Sequence, residues 1–265
     1  MTGQAGTDRV LIEQADGVMT LTLNRPDKKN ALTRAMYKAL AEAIESADAD
    51  PAVRCILIQA NGDMFTAGND LSDFAEVAAG DGAATQAREG GNPLLMALGR
   101  SKTPLVAAVH GRAVGIGVTM LLHCDLVYVA EDALLTTPFV NLALVPEAAS
   151  SILLPARIGH ARAFAMFVLG EAVNGATAAE WGLANAAVPA GEVRAKALAA
   201  ARAVAARPPS AVAITRALMR DAGAIAAQMQ REFGHFSAQL KSPEAREAFA
   251  AFAEKRAPDF SKAAT

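Results

Sequence analysis

The chain has 265 residues, of which 52% are hydrophobic and 20% charged, and its formal net charge is −2 at pH 7. That much apolar material supports a sizeable folded core and argues against disorder. With no basic excess, a nucleic-acid partner or an anionic membrane surface has no electrostatic support.

Residues 9–14 and 18–23 alternate apolar and polar side chains around Asp16-Gly17, which predicts a β-hairpin. Asn24-Arg25-Pro26-Asp27 breaks the second strand. Thr33 then reads as the cap of a helix whose one face carries Met36, Tyr37, Leu40, Ile44 and Ala47. Pro51 ends it, and residues 53–59 form a strand rich in branched side chains. The loop NGDMFTAGND leads towards a short helix. Further on, the pattern predicts helices over 93–100 and 115–123, and strands over 105–109 and 126–130. Strand-helix-strand alternation of this kind implies an α/β fold with a largely parallel, covered sheet. The apolar run 105–130 is interrupted by His110, Arg112, His123 and Asp125. A bilayer span needs about 20 nearly unbroken apolar residues, so this run reads as core. After about residue 190 the chain turns alanine-rich and helical, with breaks at Pro208-Pro209 and Ser242-Pro243. Ser242 reads as an N-cap followed by proline at the first helical position. The glycine-rich stretch 80–91 is expected to be mobile.

Cys55 and Cys124 sit in apolar runs and read as reduced core thiols. Four scattered histidines without metal-ligand spacing leave no metal site expected. The N-terminal MTGQAGTD lacks the charged and apolar regions of a signal peptide, so a cytoplasmic location is expected.

Several enzyme classes drop out. AVGIGVTM carries Met120 where a dinucleotide fingerprint needs glycine. The chain contains neither a GxxxxGK[ST] phosphate loop nor a GxSxG nucleophile elbow. What remains are two glycine-containing segments, residues 65–70 (FTAGND) and 114–117 (VGIG), each following a buried strand. Either they are ordinary turns, with glycine present for geometry, or they expose backbone N–H groups as an oxyanion hole does.

Asn24-Arg25-Pro26 with Asn30-Ala31-Leu32, then FTAGNDLSDF, then HGRAVGIGVTMLLHCDLVYVAEDALLTTPF resemble the crotonase (enoyl-CoA hydratase/isomerase) superfamily. The resemblance runs from about residue 10 to residue 189. It implies a spiral of ββα units over residues 1–190, and a helical region over 191–265 that serves oligomerisation and completes the active site, the two forming one structural unit. It further implies a homotrimer or hexamer, an acyl-CoA substrate, and no cofactor beyond the coenzyme A of that substrate. By the same resemblance, the N–H groups of Ala67 and Ile116 hold the thioester oxygen, while Gly68, Asn69, Asp70, Leu71, Gly115, Thr119, Phe139 and Lys29 line the substrate. Lys28, Lys255 and Arg256 are weaker candidates for the coenzyme A phosphates, and each also reads as simply solvated.

Family hydratases handle water with two glutamates, and those positions correspond to Thr119 and Phe139. Neither side chain takes up a proton at neutral pH. Pro146-Glu147-Ala148-Ala149-Ser150-Ser151 is similar instead to the Pro-Glu-Gly…Ser-Ser segment of peroxisomal-type Δ3-Δ2-enoyl-CoA isomerases, with Ala148 departing from the glycine. That makes Glu147 the expected single acid/base, its pKa raised if the pocket is dry. Read from position alone, Glu147 is equally a surface glutamate in a first helical turn. Hydration, thioester hydrolysis and non-catalytic acyl-CoA binding stand as alternatives.

Overall fold

A computed structural model describes residues 8–70 and 92–262, so Leu71 and the stretch 80–91 lie outside the described residues. Strands β1 (Val10–Ala15) and β2 (Val18–Leu23) pair antiparallel, with Val10 opposite Leu23 and Ala15 opposite Val18. Asp16 and Gly17 join them at φ 53° and 75°, as expected for a two-residue turn that needs positive φ at both positions. On β2, Val18, Met19, Leu21 and Leu23 are all buried, because an inner strand is covered on both faces and loses strict alternation.

Helix α1 (Arg34–Ala49) starts where Thr33 accepts a hydrogen bond from the Met36 N–H, and it buries Met36, Tyr37, Leu40, Ile44 and Ala47. Then follow β3 (Cys55–Ala60), α2 (Pro93–Arg100), β4 (Leu105–Val109) and β5 (Arg112–Val114). The helix expected over 115–123 is a short α3 (Ile116–Thr119) that tightens into a 3-10 turn, Met120–His123. Next come β6 (Leu126–Ala130), β7 (Leu134–Thr136), α4 (Ser150–Ile158) and α5 (His160–Phe164). β8 (Val173–Asn174), α6 (Gly175–Glu180) and β9 (Ala186–Val188) complete the strands.

Two sheets result, one ordered β1-β2-β3-β4-β6-β9 and one ordered β5-β7-β8. From β2 onward the large sheet is parallel throughout. Successive strands alternate between the sheets: β4 large, β5 small, β6 large, β7 small. This alternation is the spiral, and isolated bridges join the segment after β3 to the segment after β2 (Asn69 with Leu32) and to β5 (Thr66 with Ala113).

The C-terminal helices are α7 (Val193–Ala205), α8 (Pro209–Met219), α9 (Ala222–Leu240) and α10 (Pro243–Ala253), the last capped by Ser242 as expected. Residue 190 is not a packing boundary. Val193, Ala197 and Ala201 of α7 are wholly buried in the main core, and α7 lies against β3, β4 and β6. Alanine at every fourth position lets the helix approach the sheet closely. By contrast, α8 buries no residue, and Leu218 and Met219 are 84% and 83% exposed. Cys55 and Cys124 are free and buried, and burial pushes both thiols up to about 12. No helix among the described residues is long and apolar enough to cross a membrane.

Candidate active site

The segment 65–70 lies between two parallel bridges, Leu32 with Asn69 on one side and Thr66 with Ala113 on the other. Asn30, wholly buried, ties the surroundings together. Its Nδ2 donates to the carbonyls of Asn61 (2.7 Å) and Met64 (2.9 Å), and its Oδ1 accepts from the Arg25 N–H (2.8 Å). Arg25 in turn donates to Asp70 at 2.6 Å, and Thr66 Oγ1 donates to the Asn30 carbonyl. The Asn24–Leu32 motif therefore acts as a brace for this loop.

Following each N–H through the loop corrects one expectation. The Ala67 N–H donates to the Lys29 carbonyl at 2.9 Å, so it is already engaged. The Gly68 N–H is taken by Thr66 Oγ1 (3.0 Å) and the Asp70 N–H by the Leu32 carbonyl (3.0 Å). Among the described residues only the Asn69 N–H in this stretch has no acceptor. The side chain of Asn69 accepts from the Tyr37 hydroxyl of α1, which anchors the residue without using its N–H. In a parallel bridge one residue's N–H and C=O face away from the partner strand, and here that residue is Asn69.

The second segment begins at Gly115, whose φ of 56° and ψ of −114° turn the chain sharply into α3. The Gly115 N–H is held by the Thr136 carbonyl (2.9 Å), and its own carbonyl accepts from Val118 (2.9 Å) and Thr119 (3.0 Å). Ile116 and Gly117 thus carry the leading N–H groups, which no earlier turn of helix can reach. Close packing of the two segments depends on two glycines. A Cβ on Gly68 would lie 2.8 Å from the Val114 carbonyl oxygen, and one on Gly117 would lie 2.5 Å from Thr66 Cγ2.

Glu147 lies on the turn before α4, not within it: the helix starts at Ser150 with Ala149 as N-cap. This removes the reading of Glu147 as a first-turn helix charge. Glu147 is half-buried, and its Oε1 is shut off from solvent. Ala148 and Ala149 adopt φ of 65° and 55°, left-handed values that favour glycine, so the turn stores strain beside the carboxylate. Two groups remote in sequence hold this turn. His123 Nε2 donates to the Ala148 carbonyl at 2.8 Å, while its Nδ1 accepts from Arg220 at 2.7 Å. Burial, reinforced by Arg220, pushes the His123 pKa down to about 3, so the ring is neutral and can both donate and accept. Glu232 of α9 accepts from the N–H groups of Ala149 (2.5 Å) and Ser151 (3.0 Å), and from the Ser151 hydroxyl. The segment 116–123 therefore carries Ile116 at its start and, at its end, the histidine bonded to the Glu147 turn.

Neither His123 nor Glu232 was singled out from sequence. The signal for Glu232 was a carboxylate on the buried stripe Ile225, Met229, Phe236 and Leu240 of α9, since such a charge demands a partner. Thr119 is wholly buried and its hydroxyl has no hydrogen-bond partner among the described residues. Phe139 is buried, with its ring 6.0 Å from that of Phe167. Lys28 and Lys29 are exposed, and Lys29 pairs with Asp63 at 2.6 Å. Arg256 pairs with Glu247 (2.5 Å) and Glu254 (2.6 Å), pulling the Glu247 carboxyl down to about 2. No group of His, Cys, Asp and Glu side chains suited to a metal ion occurs among the described residues.

The spiral thus brings two glycine segments together, each with a backbone N–H that no acceptor among the described residues takes, Asn69 in one and Ile116 in the other. The chain belongs to the enoyl-CoA hydratase/isomerase family, whose model matches residues 13–263. Among solved structures, an enoyl-CoA hydratase/isomerase from Pseudoalteromonas atlantica T6c is 40% identical with a TM-score of 0.87, covering 95% of this chain and 99% of that one. The fold is thus the crotonase fold. The 1,2-epoxyphenylacetyl-CoA isomerase of Escherichia coli is 35% identical over 66% of this chain and 67% of its own length. Enoyl-CoA delta isomerase 2 of Homo sapiens is 33% identical over 70% of this chain, a match that spans 49% of the human protein. Names among the relatives divide between isomerase and hydratase. The activity of the chain is accordingly of the enoyl-CoA hydratase/isomerase type.

Proposed function

We propose that the chain is an enoyl-CoA isomerase that moves a double bond from the 3 to the 2 position of the acyl chain. The observation that carries this reading is the distribution of carboxylates. Glu147 is sheltered on a turn bonded to the segment that begins at Ile116, whereas the two water-handling positions hold Thr119 and Phe139. In the proposed step the Glu147 carboxylate removes a proton from the α carbon. The electron pair delocalises onto the thioester oxygen, giving a dienolate. The Asn69 and Ile116 N–H groups hold that oxygen, each donor being worth about 2.7–4 kcal/mol in related holes. Protonated Glu147 then returns the same proton to the γ carbon, and the dienolate collapses to the conjugated thioester. Atoms balance with one base and no water, and the step uses no cofactor. A positioned base of this kind contributes about 10²–10⁴-fold.

Gly68 and Gly115 shape the backbone around the thioester, while Asp70 braces the loop through Arg25. Phe139 walls the acyl pocket, and the buried, neutral Thr119 supplies no acid or base to it. The name of the human relative, enoyl-CoA delta isomerase 2, supports this reading. The test is incubation of the purified chain with a 3-enoyl-CoA and, separately, a 2-enoyl-CoA. Conversion of the first, with water addition to the second at least about 10²-fold slower, is the expected result. Comparable hydration, or release of free coenzyme A as the main product, overturns it.

A further inference from the structure

Helix α4 lacks a cap of its own. Its N-cap is Ala149, in a left-handed conformation and without an oxygen in the side chain; the Glu147 carbonyl takes the Ser150 N–H at 3.1 Å, and the Ala149 and Ser151 N–H groups need an acceptor from elsewhere. Glu232 supplies it from α9, across 83 residues of sequence for Ala149 and 81 for Ser151. Its two oxygens divide the donors: Oε2 takes the Ala149 N–H, and Oε1 takes the N–H and the hydroxyl of Ser151. Gln228, one turn earlier on α9, donates to the same Ser151 hydroxyl at 2.7 Å. Below this polar clamp Ala149 packs against Ile225 and Met229 of α9. His123, from the segment after α3, fixes the Ala148 carbonyl. Two consecutive residues after Glu147 are thus held by two different elements while keeping φ values that alanine disfavours.

A purely stabilising role explains this arrangement poorly. Glu232 is only 5% exposed, and burial raises its pKa even though four hydrogen bonds pull the other way. The ionised carboxylate is a burden on the folded state at neutral pH.

We propose that Glu232 is a positioning residue: by clamping the Ala149 and Ser151 N–H groups it holds the strained turn that aims the Glu147 carboxylate at the substrate. The inference rests on the isomerase reading of Glu147. It makes α9 part of the catalytic apparatus, since a base displaced by about 1 Å loses on the order of 10² in rate.

The experiment is a double-mutant cycle between Glu147 and Glu232, read as kcat and KM for a 3-enoyl-CoA. Glu232→Gln keeps the shape but turns an amide N–H towards one set of donors. It is expected to lower kcat by about 10- to 10²-fold with KM within about three-fold. In the Glu147→Gln background the same change is expected to alter residual turnover by less than about two-fold, because the group it acts through is already gone. Ser151→Ala removes one donor, preserves the carboxylate, and is expected to lower kcat about three- to ten-fold; it carries the test if Glu232→Gln does not fold. A folded Glu232→Gln with parental kcat, or losses that multiply in the double mutant, overturns the positioning role while leaving the isomerase reading intact. Parental turnover by Glu147→Gln overturns both.

Discussion

Replacing Gly68 by alanine probes whether the close approach of the two donor segments matters for the reaction. The added Cβ would meet the Val114 carbonyl oxygen at 2.8 Å, and Gly68 has a φ of +88°. Backbone oxygen cannot rotate aside as a side-chain tip does, so one segment must retreat by roughly half an ångström to restore ordinary contact. The strained φ costs about 1–3 kcal/mol and the overpacking a similar amount. A loss of about 2–6 kcal/mol in a chain of this size corresponds to a melting temperature lower by on the order of 10 °C. Asn69 follows Gly68 directly, so its N–H moves away from the α3 donors, and kcat is expected to fall by about 10- to 10²-fold. Gly115→Ala is the matched control, because a Cβ there meets nothing within 4 Å and only the φ of 56° resists it. Its melting point should fall less than that of Gly68→Ala. The assays are thermal unfolding and isomerase turnover on both variants. Gly68→Ala with parental turnover, or with a melting point no lower than Gly115→Ala, refutes the steric argument.

Acid sensitivity is expected from His123. Its folded pKa of about 3 lies below the ordinary 6.5, so the unfolded chain binds the proton first, and stability present above pH 6.5 drains away as the pH falls towards 3. The slope from this group is at most about 1.4 kcal/mol per pH unit. Urea unfolding of the parent and of His123→Gln should show the shallower pH dependence in the variant, and equal slopes would sink the assignment. A homotrimer or hexamer is expected because α8 buries nothing of its own and exposes Ile214, Leu218 and Met219. Sedimentation at micromolar concentration should show it, with Leu218→Glu shifting the chain to smaller species; a monomeric parent contradicts it.

The fold was legible wherever its causes are local. Thr33 and Ser242 cap their helices through bonds to residues three positions on, and Asp16-Gly17 turns its hairpin through two backbone angles. The alanine-rich stretch after residue 190 reads as helix from its periodicity, while its small side chains carry little hydrophobic signal to show which faces are wholly buried, as in α7. In the first glycine segment the resemblance points to the Ala67 N–H, which the structure commits to the Lys29 carbonyl, leaving the Asn69 N–H without an acceptor among the described residues. Deciding between Ala67 and Asn69 requires knowing that the Lys29 carbonyl reaches the former, a contact between distant loops that spacing does not encode. His123 and Glu232 escaped for the same reason: their bonds to the Glu147 turn span 25 and more than 80 residues. For Glu147 the sequence leaves a first-turn helix charge as an equal reading, and the start of α4 at Ser150 removes that reading.

Glu147→Gln keeps the size and shape of the side chain while removing the base. Turnover of a 3-enoyl-CoA by the purified, folded variant is expected to fall by about 10²–10⁴-fold. Affinity for the 2-enoyl-CoA product, titrated on the same sample, should stay within a few-fold of the parent, because the Asn69 and Ile116 N–H groups are untouched. Near-parental turnover in that measurement would contradict the assignment of Glu147 as the acid/base and, with it, the proposed isomerase mechanism.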